Sequence, residues 1–129
     1  MRLLPLLLIA ILLAGSFPAT VLASVTVAEG VIATQVVDRT PVAVAEIFPP
    51  TVGTLYCYTR LVGATDATSV THVWFRGDKE MARVELPVHS GNWRTWSSKQ
   101  ILPAWTGAWR VEVQDAGGQV LQVLPFTIQ

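Results

Sequence analysis

From Val25 to the C-terminus the apolar residues recur mostly at every second position, and Val, Thr, Trp, Tyr and Phe dominate them. That period, in β-branched and aromatic residues, is the mark of strands with one face buried. No segment of this stretch carries a 3.6-residue repeat, so helical folds are excluded first. The runs are Thr26 to Ala28, Val31 to Val37, a weak Val42 to Ile47, Thr54 to Leu61, Val70 to Arg76, Glu80 to Val88, Trp93 to Ser98, Gly107 to Gln114 and Gln119 to Ile128.

The breaks between runs carry their own chemistry. Asp38-Arg39-Thr40-Pro41 and Phe48-Pro49-Pro50 end strands because proline lacks a ladder donor and restricts the residue before it. Arg76-Gly77-Asp78-Lys79 and Asp115-Ala116-Gly117-Gly118 read as tight hairpin turns, with Ser90-Gly91-Asn92 as a third. Short strands about 8 to 14 residues apart in one small domain predict an immunoglobulin-like antiparallel β-sandwich of about seven to eight strands, with a small β-barrel as the alternative.

The start of the chain is different. Met1-Arg2 precedes an apolar run from Leu3 to Ala14, interrupted only by Pro5, and Gly15, Ser16 and Pro18 follow it. About 12 apolar residues are too few to span a bilayer, so residues 1 to 23 read as a secretory signal peptide. Val21-Leu22-Ala23 predicts cleavage after Ala23, with Ala19 as the lesser site; a retained anchor is the weaker reading. The single β-sandwich domain is then residues 24 to 129, and the protein is expected to be periplasmic or secreted, with no stable membrane insertion after cleavage.

Nine basic and nine acidic side chains balance in the 129 residues, and loss of Arg2 with the signal leaves a net charge of −1. Such a chain has no electrostatic footprint for nucleic acid. Cys57, the one cysteine, has no partner within the chain for a disulfide, so packing alone must hold the domain. It lies too far from the apolar run to accept a lipid.

Alternation assigns faces. Leu55, Cys57, Thr59 and Leu61 share the core face, opposite Thr54, Tyr56, Tyr58 and Arg60, which makes Cys57 a buried hydrophobe rather than a reactive thiol. Trp109 goes inside with Val111 and Val113. Trp74, followed by Phe75 and a glycine turn, resembles the core tryptophan of the third strand in immunoglobulin-like domains. Were it to face outward, it would join Tyr56, Tyr58, Arg60 and Arg76 in an aromatic patch.

Trp93-Arg94-Thr95-Trp96-Ser97-Ser98-Lys99 is the densest polar and aromatic stretch. As a strand it sets Trp93, Thr95, Ser97 and Lys99 against Arg94, Trp96 and Ser98, so the two tryptophans cannot both be core. On the plain reading, Arg94 and Lys99 pair with carboxylates such as Glu85 and Glu112. On the functional reading, Arg94, Trp96, Ser98, Lys99 and the loop residue Trp105 form a ligand shelf, since a ring flanked by cations and hydroxyls suits a sugar or an anion.

Catalytic patterns are missing. His72 and His89 lack the spacing of a metal pair, and Ser98-Lys99 lacks the Ser-x-x-Lys spacing. No catalytic residue, metal site or cofactor is expected.

The segments Thr34 to Val42, Phe48 to Gly53, His72-Val73-Trp74, Trp93 to Lys99 and Gly107 to Val113 together resemble a bacterial family known only as domain of unknown function 2914, over about residues 30 to 129. The Trp-Ser-Ser-Lys segment and the Gly-x-Trp-x-Val-x-Val strand are the specific parts. The resemblance implies a small all-β domain in an exported or envelope-associated protein, and it brings no activity, cofactor or ligand with it. The expected function is a non-catalytic binding or interaction module for a glycan, peptidoglycan or an envelope protein. The alternative is a purely structural sandwich that docks by edge-strand addition, and a hydrolase comes third.

Overall fold

The structure, a computed structural model, describes residues 2–3, 5, 10–16 and 24–129. The cleavage site expected at Val21-Leu22-Ala23, its alternative at Ala19, and Leu4 and Leu6 to Ile9 of the apolar run lie outside the described residues. Among the described residues no helix is long and apolar enough to cross a membrane.

Residues 24–129 form nine strands joined by turns and loops, with no helix: β1 Thr26–Val37, β2 Thr40–Val44, β3 Ile47–Phe48, β4 Thr54–Val62, β5 Thr68–Arg76, β6 Lys79–Val88, β7 Asn92–Gln100, β8 Gly107–Asp115 and β9 Val120–Ile128. They form a four-stranded sheet, β2-β1-β4-β7, and a five-stranded sheet, β3-β9-β8-β5-β6. Both sheets are open, so the fold is a sandwich and not a closed barrel. All pairings are antiparallel except that of β3 with the last strand, β9. This passage of the chain from sheet to sheet gives the immunoglobulin-like Greek key.

The core lies where alternation puts it. Leu55, Cys57 and Leu61 from β4 meet Trp74, Trp109, Val111 and Phe126 from the other sheet, all buried. Trp74 meets Phe126 edge-on at 6.1 Å, and Trp109 stacks on the same ring at 5.8 Å. Each tryptophan thus faces inward on its strand, and the outward alternative for Trp74 is not realised.

Three local features depart from the sequence reading. The runs Thr26 to Ala28 and Val31 to Val37 join into one strand, because a register shift between Val27 and Glu29 absorbs the break in alternation. The weak run Val42 to Ile47 divides between β2 and β3, which belong to different sheets. Ser90-Gly91-Asn92 is no hairpin: β6 and β7 also lie in different sheets, and this segment is the corner between them. Turn chemistry bends a chain in the same way whichever sheet it enters next.

β1 changes partner at Ala33, which is opposite Tyr56 of β4 on one side and Val44 of β2 on the other. Beyond Ala33 the β1–β2 hairpin leaves β4 behind. Its two-residue loop, Asp38-Arg39, has φ of 51° and 58°, the mirror-image turn that fits the twist of an antiparallel pair. Ala43 is also left-handed, at φ 57°, a strained conformation for a residue with a Cβ.

Candidate functional site

The outer face of the four-stranded sheet is built in rows across β1, β4 and β7. One row is Glu29, Arg60 and Arg94; the next is Val31, Tyr58 and Trp96; the third is Ala33, Tyr56 and Ser98. Period-two alternation sends the β4 and β7 members of these rows outward, as the sequence predicts.

The hairpin crosses over this face. β2 and β7 are opposite edges of the sheet, yet Arg94 Nη1 donates to the carbonyl oxygen of Arg39 at 3.4 Å. Thr40, Pro41 and Val44 line a trough of about 400 Å³ together with Glu29, Tyr58 and Arg94. The cover explains Tyr58, which points away from the core and is still only 2% exposed. Burial pushes its phenol up; Arg94 opposes that shift, Glu29 adds to it and Arg60 again opposes it.

Trp96 lies open beside it, 37% exposed, with its indole nearly parallel to the Tyr58 ring, 17° and 6.5 Å between centroids. A second trough, about 610 Å³, runs along β7 past Asn92, Arg94 and Trp96 and reaches Arg39. Arg94 lines both troughs.

Glu29 is the one carboxylate in these rows, beside Arg60 in register, and it closes no salt bridge with the arginines. Among the described residues the salt bridges are Arg83 with Glu80, at 2.7 Å, and Arg110 with Glu112, at 3.1 Å, both on the five-stranded sheet. Arg39, Arg60 and Arg94 are in neither. Arg60 Nη1 donates to Asn92 Oδ1 at 3.4 Å, and Arg60 stands directly opposite Arg94 in register. Like charges directly opposite on a sheet are unfavourable for stability.

The plain pairing of Arg94 and Lys99 with Glu85 and Glu112 is therefore absent. Glu112 is held by Arg110, and Lys99 sets its ammonium over the Trp105 ring at 5.1 Å. Trp105 in turn leans on Trp109, whose indole Nε1 donates to the Trp105 carbonyl oxygen at 2.9 Å. The five sequence candidates thus divide. Arg94, Trp96 and Ser98 share the outer face, while Lys99 and Trp105 are half-buried on the other side of β7, where Trp105 packs against the core and Lys99 lies over its ring. Arg39, Arg60 and Tyr58 complete the face. The outward alternation of β4 carried the signal for Arg60, and no local signal foretold Arg39.

A second polar cluster lies between the sheets. His72 Nδ1 is 2.7 Å from Ser97 Oγ, and Trp74 Nε1 donates to the same oxygen at 3.1 Å. On its other side His72 Nε2 is 3.2 Å from Thr59 Oγ1, whose hydroxyl donates to the Thr95 carbonyl at 3.2 Å. With the Thr59 proton committed to Thr95, His72 donates from Nε2 and accepts from Ser97 at Nδ1. Trp74 can only donate, which completes a single directed chain from β5 through β7 and β4.

The Ser97–His72 separation is that of a nucleophile and its base, but a threonine hydroxyl stands where an orienting carboxylate would be. Both residues are buried in the core, and burial pushes the imidazole down to about 4. The arrangement joins the two sheets by satisfied hydrogen bonds. Cys57, also fully buried, has its thiol pushed up by burial.

No curated protein matches the chain. Among the described residues no three His, Cys, Asp or Glu side chains come together to hold a metal ion. A family match covers residues 67–128 and leaves out the similar-looking segments Thr34 to Val42 and Phe48 to Gly53. The matched family is Protein of unknown function (DUF2914), and the stretch of this chain from β5 to the end of β9, with Arg94, Trp96 and Trp105 on it, is similar to it.

Proposed function

We propose that the protein is an exported, non-catalytic module that binds an anionic ligand on the outer face of its four-stranded sheet. The observation that carries this reading is the convergence of Arg39, Arg60 and Arg94, none in a salt bridge, on two adjoining troughs that share Arg94, one holding the exposed ring of Trp96 and the other the lone carboxylate Glu29. Two of them face each other across β4 and β7, an arrangement that costs the free domain stability and that an anion would relieve. On the five-stranded sheet, by contrast, Arg83 and Arg110 are matched with carboxylates.

Docking by strand addition has less support, because three of the four edge strands are short or blunted and the fourth, the nine-residue β7, carries the cations Arg94 and Lys99. β3 has two residues, β2 has five with Pro41 among them, and β6 carries Lys79, Glu80, Arg83, Glu85 and Pro87. Export rests on the N-terminal apolar run Leu3 to Ala14 and on the β-branched Val21 and small Ala23 at the positions a signal peptidase reads.

The test is nuclear magnetic resonance of the chain from Ser24, titrated with polyglutamate, oligomeric alginate and polyphosphate. The expected shifts map to the guanidinium groups of Arg39, Arg60 and Arg94 and to the Trp96 indole, and they fade as salt is raised. Shifts confined to the five-stranded sheet would contradict the proposal.

A further inference from the structure

We infer that the ligand is an acidic polysaccharide, a chain of sugar rings bearing carboxylates, laid across β7 with a ring on Trp96 and its carboxylates on Arg60 and Arg94. The inference rests on the anion-binding reading above and adds the ligand class to it.

Three features favour a sugar chain over other polyanions. Trp96 offers an exposed ring at the level of the arginines, held parallel to Tyr58, and a flat aromatic surface accepts the C–H face of a sugar. A polyphosphate would have no use for it. Arg94 belongs to both troughs, so a ligand on it continues in two directions, as an extended chain does and a small anion does not. The remaining groups beside the ring, Asn92 on the β7 trough and Ser98 two residues beyond Trp96, are neutral donors and acceptors suited to hydroxyls.

An acidic peptide is the competing occupant. Peptide recognition depends on apolar anchor pockets or on an open strand edge, and the troughs include Glu29, Pro41, Val44, Tyr58 and Trp93 beside arginine, asparagine, serine and threonine, with β7 itself an edge strand. A peptide has no specific use for the exposed Trp96 ring beside the arginines, and polyglutamate binding separates the two. Single-stranded nucleic acid also combines stacking with phosphate contacts, but it is tracked by a continuous basic groove with successive aromatic platforms. Here one exposed ring and a net charge of −1 on the chain from Ser24 supply neither.

The chain from Ser24 should be titrated by calorimetry and tryptophan fluorescence with oligomeric alginate, size-matched neutral dextran, polyglutamate and a thymidine 20-mer. Alginate is expected to bind and to change the fluorescence, with dextran, polyglutamate and the 20-mer at least tenfold weaker. Arg94→Gln and Trp96→Ala should each weaken alginate at least tenfold, and Trp96→Phe should retain most of the binding. Circular dichroism and melting curves check that each variant is folded.

Polyglutamate or the 20-mer binding as tightly as alginate, with Arg94→Gln weakening it and Trp96→Ala without effect, would overturn the polysaccharide and leave the anion site standing. Alginate binding that ignores Arg94 would overturn the polysaccharide site. No binding of any polyanion at millimolar concentration would overturn both readings.

Discussion

Ser97 Oγ lies 2.7 Å from His72 Nδ1, and this contact ties the four-stranded sheet to the five-stranded one in the middle of an otherwise apolar core. The imidazole is neutral there, and burial holds it at about 4 against an ordinary 6.5. A histidine whose folded value is depressed takes up its proton more readily in the unfolded chain. Its contribution to stability is therefore complete above about pH 6.5 and is lost as the pH falls toward 4. Urea unfolding should show a loss of about 2 kcal/mol between pH 7 and pH 5, above the range where carboxylates titrate. A flat profile in that window would mean that His72 is solvated.

Ser97→Ala removes the acceptor of Trp74 Nε1 and the donor to His72 Nδ1 together. Leaving two buried polar groups without partners costs about 2 to 4 kcal/mol. Ser98→Ala, one residue on and facing outward, is expected to change stability by less than about 0.5 kcal/mol. Equal effects of the two substitutions, measured by urea midpoints, would contradict the directed chain.

The tryptophans should separate by depth. Trp109 stacks on Phe126 and is 2% exposed, so Trp109→Ala is a core truncation costing about 3 to 5 kcal/mol. Trp96→Ala should cost no more than about 1 kcal/mol, chiefly its contact with Tyr58. Trp105→Ala falls between, at about 1 to 2 kcal/mol, through its packing on Trp109 and the Lys99 ammonium above it. Thermal and urea unfolding of the three variants gives the order directly.

These assignments show what period two can carry. The faces of β4, β7 and β8 follow from alternation alone, which is why Cys57, Trp109 and the outward Trp96 were legible. Tyr58 was legible in direction but not in depth, because its cover is the β1–β2 hairpin arriving from the far edge of the sheet. The proximity of Trp105 and Lys99 to Arg94 in the chain suggests one shelf; alternation at β7 puts them on opposite sides. Alternation along β5 sets His72 on the same face as Trp74, but its partners Thr59 and Ser97 come from the other sheet, and no local pattern reports a contact between sheets.

Cys57 should resist modification in the native state. It is fully buried and its thiolate is disfavoured by desolvation. An aromatic disulfide reagent is expected to react slowly or not at all in buffer and to give one equivalent after denaturation. Cys57→Ala should cost about 1 to 3 kcal/mol. Rapid native labelling, or a disulfide-linked dimer on a non-reducing gel, would place the thiol at the surface.

The exported form is expected to begin at Ser24. Cleavage after Ala23 leaves intact the buried Val25 and the whole of β1 from Thr26. Intact mass of the secreted or periplasmic protein reads the terminus, and a retained Met1 or a form that stays with membranes after alkaline wash would contradict export by cleavage.

The most direct test of the outer-face site compares two charge reversals on one strand. Arg94 and Lys99 are both cations of β7, one on the outer face with Trp96 and the other over Trp105 beside the core. Binding of polyglutamate, oligomeric alginate and polyphosphate to Arg94→Glu and Lys99→Glu is measured by calorimetry at fixed salt. The account predicts that Arg94→Glu weakens the tightest of the three at least tenfold and that Lys99→Glu changes it less than twofold. Loss of binding in Lys99→Glu with Arg94→Glu unaffected would contradict it.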